Sequence, residues 1–173
     1  MSAGTGTGGN PAGTTGNAAA PEGTPIMHIN GFSRGKGKFV ITEYVATDEK
    51  TGPRYPLLLT TGRILFHFHS GSMTRRSGSL LEKEGRGWVA VNERDAEELG
   101  LAEGEAVRLT SRRGTLVSRA HISSRLQRKN VFATFHFGEE GANLLTNPAL
   151  DPKSKMADLK VCAVRLERVE GGG

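Results

Sequence analysis

Apolar residues in this chain come in short runs, each closed by glycine or by a charged turn, and that pattern leaves little room for anything but a small sheet protein. Lys38 to Val45 is the first strand candidate. Pro56 to Thr61 is the second, and its unbroken apolar run predicts burial on both faces. Trp88 to Val91 follows. The period then changes: Asn92 can cap a short helix whose first turn holds Glu93 and Asp95, with Ala96 and Leu99 on one face and Gly100 as its end. Ala106 to Thr110, Thr115 to Ser123, Val131 to Phe137 and Val161 to Leu166 complete the set, with turns at Glu103-Gly104 and Arg113-Gly114. Many short strands with few short helices predict a mainly β protein, a small barrel. No internal repeat is evident along the chain.

The termini read differently. Residues 1–25 hold a single charge, Glu22, and beyond Met1 none of the large apolar residues that could anchor them, so they predict a disordered Gly/Thr/Ala/Pro-rich tail or linker. Residues 26–173 form the predicted folded domain. No stretch approaches the roughly 20 apolar residues that span a bilayer. The N-terminus lacks the basic start and apolar run of a secretory signal. One cysteine, Cys162, excludes an internal disulfide framework and a Cys-cluster metal site. These features together predict a cytoplasmic placement.

Chemistry concentrates in residues 60–76, TTGRILFHFHSGSMTRR. Hydroxyls, two histidines, three arginines and two glycines share one turn-rich stretch after a strand. Glycines at 62 and 71 permit close backbone approach, and Arg63, Arg75 and Arg76 can fork onto phosphate oxygens. The stretch reads either as a pyrophosphate or nucleotide cradle or as a solvated basic loop; it is neither a Walker loop nor a dinucleotide glycine fingerprint. His67 and His69, two apart, offer a metal pair without a third ligand nearby, or hydrogen bonds to an anion. His136, between Phe135 and Phe137, reads as part of a sheet edge. Asn143 can read a base edge or pin a turn, and Lys160 can face a phosphate or solvent. Cys162, in an apolar run, reads as buried and inert. No Gly-x-Ser-x-Gly elbow and no convergent carboxylate pair is present; the acidic residues of the short helix read as a solvated face.

Tyr55 to Arg76, YPLLLTTGRILFHFHSGSMTRR, resembles the opening of the C-terminal cofactor-binding domain of the molybdopterin oxidoreductases, and within that family it is most similar to the catalytic (alpha) subunit of formate dehydrogenases. Val91 to Leu101, Glu103 to Val107, Ser111 to Gly114, Phe135 to Phe137, Ala142 to Thr146, Asp151-Pro152 and Lys160 to Val164 follow in the same order, so the resemblance covers about residues 36–168. It implies a double-psi β-barrel that binds part of a molybdopterin guanine dinucleotide carrying molybdenum or tungsten. By the same resemblance, Thr61, Gly62, Arg63, His67 and His69, with the late Asn143 and Lys160, correspond to the cofactor contacts. The sequence departs from the family at Ala157-Asp158-Leu159, where relatives often carry Pro-Glu-Tyr or Pro-Glu-Phe.

The whole enzyme resembled also carries an iron–sulfur site and a cysteine or selenocysteine on the metal. With Cys162 alone, this chain is not catalytically self-sufficient, and the resemblance implies a large catalytic subunit or remaining domains as partner. The alternative is a non-enzymatic basic double-psi barrel that binds nucleic acid or protein. The net charge of +5 allows nucleic acid, but aromatics are only 6% and supply no basic–aromatic stacking platform, so no nucleic acid is expected.

Overall fold

The structure, a computed structural model, describes residues 27–28 and 31–169. The tail read for residues 1–25 lies outside them. The chain divides into two compact units, Met1–Tyr44 and Val45–Gly173.

In the first unit the described backbone makes a tight turn in which Phe32 and Gly35 pair across an isolated bridge. The strand expected at Lys38 to Val45 is absent: those residues join no ladder among the described residues. Phe39 is 99% and Ile41 91% exposed. Alternating apolar residues make a strand only where a neighbour supplies both hydrogen bonds and a covered face, and here neither is supplied.

The second unit holds six strands: β1 Leu57–Gly62, β2 Val89–Asn92, β3 Ala106–Thr110, β4 Thr115–Ser123, β5 Asn130–Thr134 and β6 Cys162–Arg168. They close into a barrel in the order β1-β5-β2-β4-β3-β6. Two neighbouring pairs are parallel, β1 with β5 and β2 with β4, and the other four are antiparallel. Exchanging β1, β2 and β3 for β4, β5 and β6 returns the same neighbours with the same directions. The barrel is thus a two-fold repeat in topology, the double-psi arrangement, although no repeat is legible along the chain.

Closure removes every sheet edge and sends alternate residues inward. Leu59, Val89, Val107, Leu109, Val131 and Val164 fill the interior. β1 alternates rather than burying both faces, with Leu57 and Leu59 inside and Leu58 and Thr60 half-buried on the outer side. A closed barrel has one inside, and little covers the outer side of this strand.

Among the described residues, two short helices accompany the barrel, α1 Gly78–Lys83 and α2 Glu93–Glu98. Asn92 caps α2 as expected: its Oδ1 accepts from the Arg94 and Asp95 amides at 3.0 and 3.4 Å, while Nδ2 donates to the Leu126 carbonyl at 2.8 Å. One expectation for α2 is corrected, at Asp95. Leu99 is 43% exposed, because the helix ends there as Gly100 turns the chain with φ +62°; Ala96 alone reaches the core. Asp95 is buried rather than solvated, accepting from Arg128 Nε at 3.1 Å and from the Lys129 amide at 2.5 Å. That carboxylate braces the β4–β5 connection where Lys129 adopts a left-handed φ of +63°.

Candidate functional site

The long connection between β1 and β2 carries Arg63, His67 and His69, and two buried histidines determine its path. His136 lies past the end of β5, which stops at Thr134 rather than running to Phe137. Its ring turns into the protein and is fully buried, not part of a sheet edge. The Ile64 amide donates to His136 Nε2 at 2.9 Å, and His136 Nδ1 donates to the His69 carbonyl. An amide N–H can only donate and a carbonyl can only accept, so the ring is neutral with its proton on Nδ1. Burial is the main cause that pushes its pKa below the ordinary histidine value, and the neighbouring His67 and Arg63 act in the same direction.

His67 is buried as well. Its Nε2 donates to the Glu84 carbonyl at 2.7 Å, and its Nδ1 shares a hydrogen bond with the Thr74 hydroxyl at 2.9 Å. The Phe137 ring meets it edge-on, with centroids 5.1 Å apart. Both ring nitrogens are therefore used inside the protein. Among the described residues no group of three or more His, Cys, Asp or Glu is placed to hold a metal ion.

Thr61 is buried, and its hydroxyl donates to the Leu159 carbonyl at 2.7 Å. Its own carbonyl accepts from Lys160 Nζ, and that ammonium also lies 5.7 Å from the centre of the Phe135 ring. Gly62 is required by packing: a Cβ there would stand 2.4 Å from Cε2 of Phe132. Arg63 is exposed, 3.4 Å from the His69 ring nitrogens and 5.8 Å from the Phe68 ring centre. At the far end of the loop Gly71 adopts φ +75°, and a Cβ there would lie 3.0 Å from the His136 carbonyl oxygen. Arg75 is held by Glu139 at 2.6 Å.

The structure thus joins Thr61 to Lys160 and Arg63 to His69 around the C-terminal end of β1. Asn143 stands apart, exposed on the 3-10 turn Ala142–Leu144, where its carbonyl accepts from the Thr146 hydroxyl at 2.9 Å. Among the described residues no hydrogen bond links its side chain to the loop. The divergent Ala157-Asp158-Leu159 segment is anchored by polar contacts. Asp158 accepts from Asn147 at 3.1 Å and from Thr47 at 3.3 Å, and the Leu159 carbonyl receives Thr61.

Two groups escaped the reading of the sequence. His136 is one; a buried histidine carries no local signal that separates it from a strand residue. Glu49 is the other. It accepts from Arg112 at 2.9 Å, from Arg113 at 3.0 Å and from the Ala163 amide at 3.0 Å. Burial alone would raise this carboxyl, but the Arg113 and Ala163 bonds, together with the charges of both arginines, outweigh it and hold the pKa below its ordinary value. Beside this clamp the Cys162 thiol donates to the Leu145 carbonyl at 2.7 Å and lies 2.8 Å from the Arg113 guanidinium. Burial pushes its pKa up, in keeping with an inert position.

A separate groove of about 370 Å³ runs past Glu84, Trp88, Glu103, Arg119 and His121. Several of its polar groups are paired within it: Trp88 donates to Glu84 at 3.2 Å, His121 pairs with Glu103 at 3.1 Å, and Arg119 donates to the Gly104 carbonyl at 3.2 Å. At the β1 end, among the described residues, neither Arg63 nor Lys160 is paired with a carboxylate.

Barrel and loop together define a double-psi barrel domain with a cationic, turn-rich loop leaving its first strand. Residues 57–163 match the family described as the molydopterin dinucleotide binding domain, and the chain belongs to that family. The F420-dependent formate dehydrogenase 2 subunit alpha of Methanococcus maripaludis is 47% identical over 149 residues, which are 85% of this chain and 22% of that protein. The corresponding subunit of Methanocaldococcus jannaschii is 42% identical over the same shares. A nitrate reductase of Symbiobacterium thermophilum is 39% identical over 91% of this chain and 22% of its own length. The chain therefore spans about a fifth of these relatives. Among solved structures, acetylene hydratase from Pelobacter acetylenicus aligns with a TM-score of 0.60 at 16% identity, covering 66% of this chain and 18% of that one, a likeness of fold. Among the described residues no helix is long and apolar enough to cross a membrane.

Proposed function

We propose that this chain binds the pyrophosphate-bearing part of a molybdopterin guanine dinucleotide, as the cofactor domain or small subunit of a larger oxidoreductase of the formate dehydrogenase kind. The observation that carries the reading is the pair of cations at the end of β1. Lys160 is bonded to the carbonyl of Thr61, Arg63 leaves the chain two residues on beside His69, and among the described residues neither is joined to a carboxylate. Such a pair suits a diphosphate, which takes forked guanidinium donors and an ammonium together. The fit is partial by direct contact. Arg63, His69 and Lys160 present donors outward, and Asn143 offers an amide with both donor and acceptor capacity for a guanine edge. Thr61, Gly62 and His67 serve the same site from behind, as supports of the loop.

When bound, the cofactor's molybdenum or tungsten supplies two-electron redox chemistry, the kind that converts formate to carbon dioxide. This chain's own contribution is to bind and orient. The partner is the remaining part of the enzyme, in keeping with relatives that are named as subunits and are several times longer. The single buried cysteine accords with a cytoplasmic setting.

The test is cofactor retention after reconstitution with a relative's large subunit that lacks this domain. Arg63→Ala is expected to weaken retention by about 1.5–3 kcal/mol, the scale of a hydrogen bond to a charged group, while Arg119→Ala on the distant groove leaves it unchanged. Equal retention by both variants and the wild type overturns the assignment.

A further inference from the structure

We infer that His136 is a tautomer-fixed latch that holds both ends of the Ile64–His69 segment, and so determines where Arg63 and His69 stand. The two hydrogen bonds have opposite polarity and point to opposite sides of one ring. On one side Nε2 receives the Ile64 amide at 2.9 Å; on the other Nδ1 donates to the carbonyl of His69, a non-glycine residue at φ +50°. A left-handed backbone at such a residue is disfavoured by itself and persists where its surroundings hold it. Within the segment, Ile64 and His69 are the residues that the ring grips, and the adjacent Gly71 passes too close to the His136 carbonyl to carry a side chain. Only the neutral form with the proton on Nδ1 can make both bonds. A second proton, on Nε2, would face the Ile64 N–H and break that bond.

The charged and titratable groups facing the ring oppose that second proton. His67, 5.5 Å away between centroids, and Arg63 come from the loop itself. On the following turn Arg75 and Glu139 neutralise each other. The consequence for ligand binding rests on the cofactor reading above; the latch does not. His136 is thus a positioning residue, acting through Ile64 and His69.

The experiment uses the full chain without cofactor. Nitrogen NMR of the imidazoles should show His136 protonated at Nδ1 and bare at Nε2 at neutral pH. The protection factor of the Ile64 amide should fall in step with protonation of this ring as pH is lowered, while β-strand amides such as Val91 keep theirs. His136→Phe should reduce Ile64 protection by roughly tenfold or more, the effect of one lost hydrogen bond in a locally opening segment. His136→Gln, whose carbonyl can occupy the Nε2 position, should restore it, and His136→Asn should not. A ring protonated at Nε2 in the wild type overturns the latch, whatever the variants do. So does unchanged Ile64 protection in a folded His136→Phe protein. Arg63→Ala alters neither ring nitrogen, so the cofactor reading can fail on that variant while the latch stands, and the reverse holds for these measurements.

Discussion

The connection that leaves β1 and the one that leaves β4 occupy equivalent places in the two-fold topology, yet they are built in different ways. After β4 the chain needs only a few residues to reach β5. It is braced there by the buried Asp95 carboxylate, which takes Arg128 and the Lys129 amide, and by Asn92, which takes the Leu126 carbonyl. After β1 the chain runs from Arg63 to Trp88, holds a 3-10 turn and a helix, and leaves large apolar side chains in solvent, with Leu65 90% exposed. Its supports are the buried rings of His67 and His136 and, on its 3-10 turn, the ion pair of Arg75 with Glu139. One topology thus yields a short connection braced by a buried carboxylate in one half and a long, arginine-rich one held by buried histidines in the other. The barrel supplies rigidity to both, and the longer one carries Arg63 beside His69, as expected where function resides on loops positioned by a scaffold.

The sharpest way to break this contrast is to compare the wall with the loop. Leu59→Ala, in the fully buried face of β1, should cost about 2–5 kcal/mol in denaturant unfolding, since it removes packing and leaves a cavity. Leu65→Ala, a few residues on but exposed, should stay within about 0.5 kcal/mol. Similar losses at the two sites would mean that the loop is as much a part of the cooperative unit as the wall.

Gly62→Ala probes the junction between them. The new methyl would press into the Phe132 ring, and overpacking of this kind costs about 1–3 kcal/mol. Phe132→Leu in the same chain should recover part of that loss, as equilibrium unfolding of the double variant would show.

Asn92→Ala addresses the braced half. Removing the cap should cost about 1 kcal/mol in the same assay and should raise amide exchange in residues 124–129, with no change around Ile64. If Ile64 also loses protection, the two connections are coupled and the contrast collapses.

The smallest effect is expected from acid. The folded Glu49 carboxyl titrates below its ordinary value of 4.5, so the unfolded chain binds the proton more readily. Its contribution to stability is full above that value and is lost as pH falls through the lower, folded one. Glu49→Gln should therefore flatten the fall of stability with acid in this range, measured as melting temperature against pH. The His136 ring works the same way at higher pH: because its folded value is depressed below 6.5, the associated stability is full above pH 6.5 and declines as pH drops.

Local chemistry determined a good part of this protein. β3 and β4 occupy the residues that their alternation and bounding glycines mark out, Ala106–Thr110 and Thr115–Ser123. The Asn92 cap, the Gly100 stop and the buried Cys162 follow from residue type and immediate neighbours. What only the tertiary structure decided depends on partners far apart in the chain. Lys38 to Val45 has the pattern of a strand but no ladder to join. β5 ends at Thr134 because His136 is drawn inward to Ile64 and His69, residues far earlier in the chain. Glu49 finds its charge partners at Arg112 and Arg113 and an amide at Ala163, and Asp95 finds Arg128. The two-fold order of the barrel is likewise a property of pairing, since backbone hydrogen bonds and alternating burial can be satisfied by unrelated side chains in its two halves. Periodicity and capping act over a few residues and are legible in the sequence, whereas a buried polar group takes its meaning from whichever donor or acceptor the closed barrel sets opposite it.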